Sequence, residues 1–278
     1  MEFGVSMLSV IIPITGENRK EQVKTSLHFL RNQTLTNYEI ILVEQIDALL
    51  GGKNLGGPFY TDVGVDQYVK IKGPGKNHFN QPWMANVGAR IAKGNKFLFL
   101  DIDMVFARDY LENVYNYNKP FFIAYSKVHM LTRQGSNIVR RTNEITEDAR
   151  SGAEVHESGA LKYAGFSACS KRDFFFSVLG GYNENYLGWG GNDNDIAWRS
   201  LTILNEEYSL DKDIFHLWHP KEYSKFLVWE RKSVWFTTHN HPQAVTERLK
   251  LAHIGKKEQP TFIELKDIFV DARKMKQN

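Results

Sequence analysis

The chain has 278 residues, 42% of them hydrophobic and 24% charged, with only 21 Gly and 8 Pro, a composition that excludes disordered, collagen-like and low-complexity readings. Its 35 Lys and Arg against 32 Asp and Glu leave a net charge of +3. The basic residues are scattered except at Arg140, Arg141 and the tail, so a nucleic-acid partner is not expected. The one cysteine, Cys169, forms no internal disulfide, which points to a reducing compartment, the cytoplasm. The apolar start from Val5 to Ile14 has no basic segment before it and no small-residue cleavage site, and reads as a buried strand.

In chain order, Leu8 to Pro13 (LSVIIP) is continuous and β-branched, as a parallel strand covered on both faces requires. A helical stripe at Val23, Leu27 and Leu30 follows Asn18, and Glu39 to Val43 (EIILV) is a second strand, completing one βαβ unit. Between residues 51 and 80, GGKNLGGP and KGPG mark loops around a short strand at Tyr68 to Ile71. Met84, Val87 and Ile91 share a helix face that Gly94 ends, and Lys96 to Leu100 (KFLFL) is a central strand stopping at Asp101-Ile102-Asp103. Residues 126–160 are polar and without clear period, which predicts a long loop or lid. Order returns at Gly165 to Ser170, at an aromatic helix near Phe174 to Val178, and at a helix carrying Ile196, Ala197, Leu201 and Leu204. Alternating strands and helices predict an α/β fold with a mostly parallel, doubly wound sheet, in which ligands bind beyond the carboxyl ends of the strands.

Asp101 and Asp103 are delivered by a strand to that edge, two residues apart. Such a carboxylate pair fits a hard divalent cation with positions left for phosphate oxygens. Gly188-Trp189-Gly190-Gly191 combines backbone that approaches a ligand closely with an aromatic face for a pyranose. Asp193 follows at a helix start, where unpaired amides favour the ionised carboxylate that a general base needs.

The stretch FNQPWMANVGARIAKGNKFLFLDID, ending at Asp103, resembles the NVG…FLDxD segment of nucleotide-sugar glycosyltransferases of the GT-A fold, in its β-1,4-galactosyltransferase form. Gly180-Gly181-Tyr182-Asn183-Glu184 and then Gly188 to Asp195 (GWGGNDND) resemble that family's second segment, GGF…N…GWGGEDDD. The resemblance covers roughly residues 8 to 220 and extends to the related bacterial family 2 enzymes. It implies a GT-A catalytic domain over 1–225, with a nucleotide-binding half 1–105 and an acceptor half 106–225, while the amphipathic pattern from Gln243 on, with Leu249, Leu251 and Ile254, predicts a helical extension over 226–278.

It also implies roles. Asp193 is the base. Pro13, Arg19, Glu44, Phe79, Asn86, Asp101 and Asp103 hold the donor: Arg19 the diphosphate, Glu44 the base or ribose, Phe79 the uracil face, Asp101 the ribose or sugar. Trp189, Gly190, Asn192 and Asn194 face the acceptor; the two asparagines replace acidic residues of the family pattern, so an N-acetylglucosamine acceptor does not carry over. Asp103 binds Mn²⁺ or Mg²⁺ together with His216 or His219, and imidazole favours Mn²⁺.

The expected function is metal-dependent, inverting transfer of a hexose, of galactose or N-acetylhexosamine type, from a UDP-sugar to a hydroxyl of a glycan or lipid-linked glycan, as in polysaccharide biosynthesis. A sugar nucleotidyltransferase is the alternative, but its glycine-rich basic loop is missing from residues 13–19; a non-catalytic carbohydrate-binding protein is the other. The basic carboxyl-terminal stretch is a candidate for peripheral contact with an anionic membrane.

Overall fold

A computed structural model describes residues 5–16, 19–46, 55–72, 79–160, 164–184 and 192–220. The expected loop glycines of 51–54 and 73–75, the Gly188 to Gly191 motif with Trp189 and Gly190, and the extension over 226–278 lie outside the described residues.

The amino-terminal half is built as its apolar runs dictate. β1 (Val5–Ile14), β2 (Tyr38–Gln45) and β4 (Gly94–Leu100) bury continuous hydrophobic stretches, and β3 (Gln67–Ile71) forms one margin of the sheet. With β6 (Phe121–Ile123) and β9 (Ser167–Lys171), the order is β3-β2-β1-β4-β9-β6. The first four strands run parallel, while β9 pairs antiparallel with both β4 and β6. The sheet is therefore mostly parallel, as expected.

α1 (Lys20–Arg31) buries the predicted stripe of Val23, Leu27 and Leu30, and two short helices, α2 (Gly57–Asp62) and α4 (Tyr110–Asn116), come later in the chain. α3 (Gln81–Ile91) lies directly on the sheet: a Cβ at Gly88 would stand 2.4 Å from Ile11 Cγ2, so the glycine of the NVG motif is what permits that approach. Asn80 caps α3 by accepting from the Trp83 amide at 3.0 Å, and its own amide donates to Gln45 Oε1 at 2.8 Å, fixing the helix start to the carboxyl end of β2.

The expected lid over 126–160 is corrected by the structure: this stretch is folded. It supplies β7 (Lys127–Met130), α5 (Arg133–Thr142), α6 (Glu147–Arg150) and β8 (Glu154–Glu157). A second sheet runs β5-β10-β7-β8, with β5 (Met104–Val105) and β10 (Asp213–His216). Its strands are short and β8 is mostly exposed, so they show no hydrophobic alternation. α5 turns Gly135, Ser136 and Val139 inward, too few large apolar groups to make a helical period legible.

The aromatic helix is a π-helical segment, Phe174–Leu179, closed by Gly180 and Gly181 at φ 72° and 79°. The next described helix is α7 (Asn192–Leu204), with Asp193 and Asp195 in its first turn. Arg199 of α7 is 1% exposed; its Nε donates to Asp195 at 2.9 Å, and its terminal nitrogens donate to the carbonyls of Leu179 and Gly181 at 2.6 and 2.8 Å. Among the described residues no helix is long and apolar enough to cross a membrane.

Candidate active site

The site forms where the carboxyl ends of β1, β2 and β4 meet the second sheet. β5 pairs antiparallel with β10, placing Met104 opposite His216 and so bringing Asp103 beside that histidine. The Leu217 amide then donates to the Asp103 carbonyl at 2.8 Å, locking the two chain segments together.

Asp103 Oδ1 lies 3.5 Å from His216 Nε2, and Oδ2 lies 3.3 Å from His219 Nε2 and 3.8 Å from Arg19 Nη1. One ligand atom from each of Asp103, His216 and His219 falls within 4.8 Å of the others. Asp103 is only 7% exposed, yet its Oδ1 has no hydrogen-bond partner among the described residues. Burial disfavours its charge, but the adjoining histidines and Arg19 outweigh that and hold its carboxyl well below the usual carboxylate range. A buried, ionised and under-partnered carboxylate facing two imidazoles is a donor set that fits a divalent transition metal. The structure brings both histidines to this point, where either one was expected from sequence.

The segment carrying the two histidines is braced from outside. Trp218, between the histidines, donates its amide to Ser136 Oγ at 2.7 Å and accepts at its carbonyl from Arg140 at 2.9 Å and Gln22 at 3.4 Å. The Arg133 guanidinium lies 5.3 Å from the Trp218 ring centre. The His216 carbonyl accepts from the Leu131 amide at 3.0 Å. The folded region 131–140, read from sequence as a lid, is thus the support of the histidine pair.

Asp101 and Asp193 line one cleft with Pro13, Gln81, Phe166 and Tyr182. Gln81 Nε2 donates to Asp101 Oδ1 at 2.8 Å. Enclosure, then the charges of Asp103 and Asp193, push the Asp101 carboxyl well above its usual range. Enclosure likewise pushes Asp193 up to about 6. Asn192 donates to Asp193 Oδ1 at 3.2 Å, and Asn194 donates to the Ala160 carbonyl at 2.9 Å. Gly165 lets the backbone pass Asp193: a Cβ there would stand 3.1 Å from Asp193 Oδ2. Phe166 has φ 67°, a left-handed conformation that costs a non-glycine residue roughly 1–2 kcal/mol.

Two expected donor residues are engaged inside the protein. Glu44 is fully buried and accepts from the Leu55 amide and from the hydroxyls of Tyr60 and Tyr68, at 3.3, 3.0 and 2.5 Å. Asn86 donates to the Tyr182 carbonyl and to Glu184 Oε1, both at 3.0 Å, and accepts from the Tyr182 amide at 2.9 Å. Together with Asn80, which donates to the Glu184 carbonyl at 3.1 Å, Asn86 fastens 182–184 to α3. Phe79 is partly buried against the core. Gln81, Phe166, Ser136 and Arg140 were missed by sequence reasoning; only Gln81, a polar residue in the first turn of a helix rising from the ligand edge, left a signal there.

Residues 156–221, which carry Asp193, His216 and His219, match the family model described as the N-terminal domain of galactosyltransferase. An uncharacterized glycosyltransferase of Haemophilus influenzae is 33% identical over 108 residues, which make up 39% of this chain and 33% of that protein. The chain thus spans about a third of the length of the curated relative it matches. Among solved structures, the mannosyltransferase PcManGT from Pyrobaculum calidifontis, in complex with GDP-Man and Mn²⁺, aligns with a TM-score of 0.50 at 14% identity over 95% of this chain and 73% of that one. GalNAc-T7 with UDP, GalNAc and Mn²⁺ aligns with a TM-score of 0.54 at 14% identity over 98% and 55% of the respective chains. The chain has the fold of the GT-A glycosyltransferases, and its segment from His156 to Lys221 resembles the galactosyltransferases.

Proposed function

We propose that the protein is a metal-dependent, inverting glycosyltransferase that moves a hexose from a UDP-sugar to a hydroxyl of a glycan acceptor. The observation that carries this reading is the convergence of Asp103, His216 and His219 to within 4.8 Å beside a cleft holding Asp193. A carboxylate with two imidazoles suits a divalent transition metal over Mg²⁺, and Mn²⁺ is the choice because the two solved structures sharing the fold each hold it with a nucleotide or nucleotide-sugar. When bound, the ion supplies positive charge against the diphosphate of the leaving nucleotide.

The chain's own groups do the rest. Arg19, 26% exposed beside Asp103, is placed for a phosphate oxygen. Asp193 accepts the proton of the acceptor hydroxyl as that oxygen bonds to the anomeric carbon, and the bond from that carbon to the diphosphate oxygen breaks with its electron pair leaving on UDP. Proton transfer to a carboxylate and departure of UDP from the opposite face require no covalent enzyme intermediate. Uridine rather than guanosine follows from the resemblance of the 156–221 segment to galactosyltransferases. A lipid-linked acceptor, and membrane contact through the basic tail, belong to the same reading.

Thermal unfolding with UDP tests it. UDP at about a hundred times its dissociation constant, with Mn²⁺, is expected to add roughly 2.7 kcal/mol to stability. Asp103→Ala is expected to abolish the part of that shift that depends on Mn²⁺. A UDP shift of equal size without metal, or unchanged in Asp103→Ala, overturns the metal assignment.

The brace around Trp218 predicts a second result. Arg140→Met removes the donor to the Trp218 carbonyl and is expected to weaken Mn²⁺ binding about tenfold, as loss of outer support for metal-ligating histidines does. Electron paramagnetic resonance of free Mn²⁺ measures this without turnover.

A further inference from the structure

The geometry points to Phe166 as the aromatic wall that receives the apolar face of the transferred hexose. This inference rests on the glycosyltransferase reading above and deepens it by naming the residue that holds the donor sugar. Phe166 lines the cleft of Asp101 and Asp193, and its ring centre lies 5.4 Å from that of His216 at an interplanar angle of 69°. It therefore borders both the metal-ligand cluster, where the diphosphate would lie, and the base. In an inverting displacement the anomeric carbon must stand between the departing phosphate oxygen and the hydroxyl held by the base. A side chain bordering both ends of that line lies alongside the ring that carries the carbon.

The backbone at this position gives an independent reason. Phe166 is one of three non-glycine residues with positive φ among the described residues; the other two are asparagines, which tolerate the left-handed region. Glycine or asparagine would relieve the conformation at Phe166, yet a large aromatic residue occupies it. The conformation is held from both sides: the Phe166 carbonyl accepts from the Asp101 amide at 2.9 Å, and the preceding Gly165 carbonyl accepts from the Tyr125 hydroxyl at 2.8 Å. The ring is not sealed in the core but only partly buried against it. A partly buried aromatic residue that lines a cleft with two carboxylates, held there by a strained backbone, matches what a pyranose site needs, an apolar platform near hydroxyl-binding oxygens.

The test compares UDP with UDP-sugars on the full chain with Mn²⁺, by calorimetric titration without acceptor. The probes are UDP, UDP-galactose, UDP-glucose, UDP-N-acetylglucosamine and UDP-N-acetylgalactosamine. Phe166→Asn keeps a residue suited to the left-handed conformation and removes the ring. It is expected to weaken the tightest of the UDP-sugars about tenfold, which is about 1.4 kcal/mol, while UDP stays within about twofold. Unchanged UDP binding also shows that the variant is folded and its metal cluster intact. Phe166→Tyr, which restores the ring, is expected to recover the sugar-nucleotide affinity. Parallel weakening of UDP and UDP-sugar would assign the ring to support of His216 and overturn the inference, as would unchanged binding of both. Failure of the unaltered chain to bind UDP or any of these donors would sink the donor reading itself, a result separable from a change confined to the variant.

Discussion

Asp193→Asn is expected to lower turnover by about two to four orders of magnitude while leaving Mn²⁺-dependent UDP binding intact, because general-base catalysis by a positioned carboxylate contributes about that much. Asparagine preserves the shape and can still accept from Asn192, so the loss isolates the proton-accepting function. The pH dependence sharpens the prediction. With its carboxyl pushed up to about 6, Asp193 becomes able to accept a proton as pH rises through about 6, and turnover is expected to fall on the acid side of that value. Stability moves the opposite way. A carboxyl of higher affinity for protons in the folded chain than in the unfolded chain, where Asp titrates near about 3.9, makes the fold less stable as pH rises from about 4 to 6. Asp193→Asn removes that cost, so the variant is expected to melt higher than the native chain at pH 7.5 and to lose this advantage by about pH 4. Turnover in Asp193→Asn within tenfold of native would show that another group takes the proton. An acid limb of turnover that merely tracks loss of Mn²⁺ would shift the titration to the histidines.

The features legible in the sequence were those with a large apolar signal. β1, β2 and β4 announce themselves as continuous runs because both their faces are covered, and α1 because three large residues lie on one stripe. The second sheet was hidden because Lys127–Met130 and Glu154–Glu157 pair chiefly through backbone, a property that any residue supplies. The carboxylate pair after β4 was legible as a motif, but its division of labour was not. Asp103 turns to the histidines and Asp101 to Gln81, a separation set by the two-residue β5 and its pairing with β10. Glu44 and Asn86 show the complementary gap. A strand-end position puts Glu44, and a motif puts Asn86, near the donor, but the direction of a side chain depends on partners distant in sequence, here Tyr60 and Tyr68 for one and Tyr182 and Glu184 for the other. Phe166 could not be singled out at all, because its importance lies in a backbone angle that its residue type disfavours.

Arg199→Met is expected to be the most destabilising of these substitutions, by about 3–5 kcal/mol, because it takes the guanidinium away from a buried carboxylate. Asp195 is fully buried and accepts from Arg199 Nε, and the carbonyls of Leu179 and Gly181 would lose their guanidinium donors at the same stroke. For a chain of this size that loss corresponds to a fall in Tm of roughly 10 °C. The pair joins α7, whose first turn carries Asp193, to the π-helical segment and the glycine turn that leads into Tyr182. Tyr182 is in turn held by Asn86 of α3, so the chain of contacts runs from the sheet through α3 and the glycine turn to the helix that carries Asp193. Arg199→Met is therefore expected to lower turnover more than it weakens UDP binding, measured at a temperature well below its own Tm. Arg199→Lys keeps the charge but lacks the fork that reaches two carbonyls and a carboxylate together, and it is expected to fall between the native chain and Arg199→Met. A loss below about 1 kcal/mol in Arg199→Met would mean that the remaining partners of Asp195 and new ones for the two carbonyls suffice, and that α7 is positioned chiefly by apolar packing through Ile196 and Ala197.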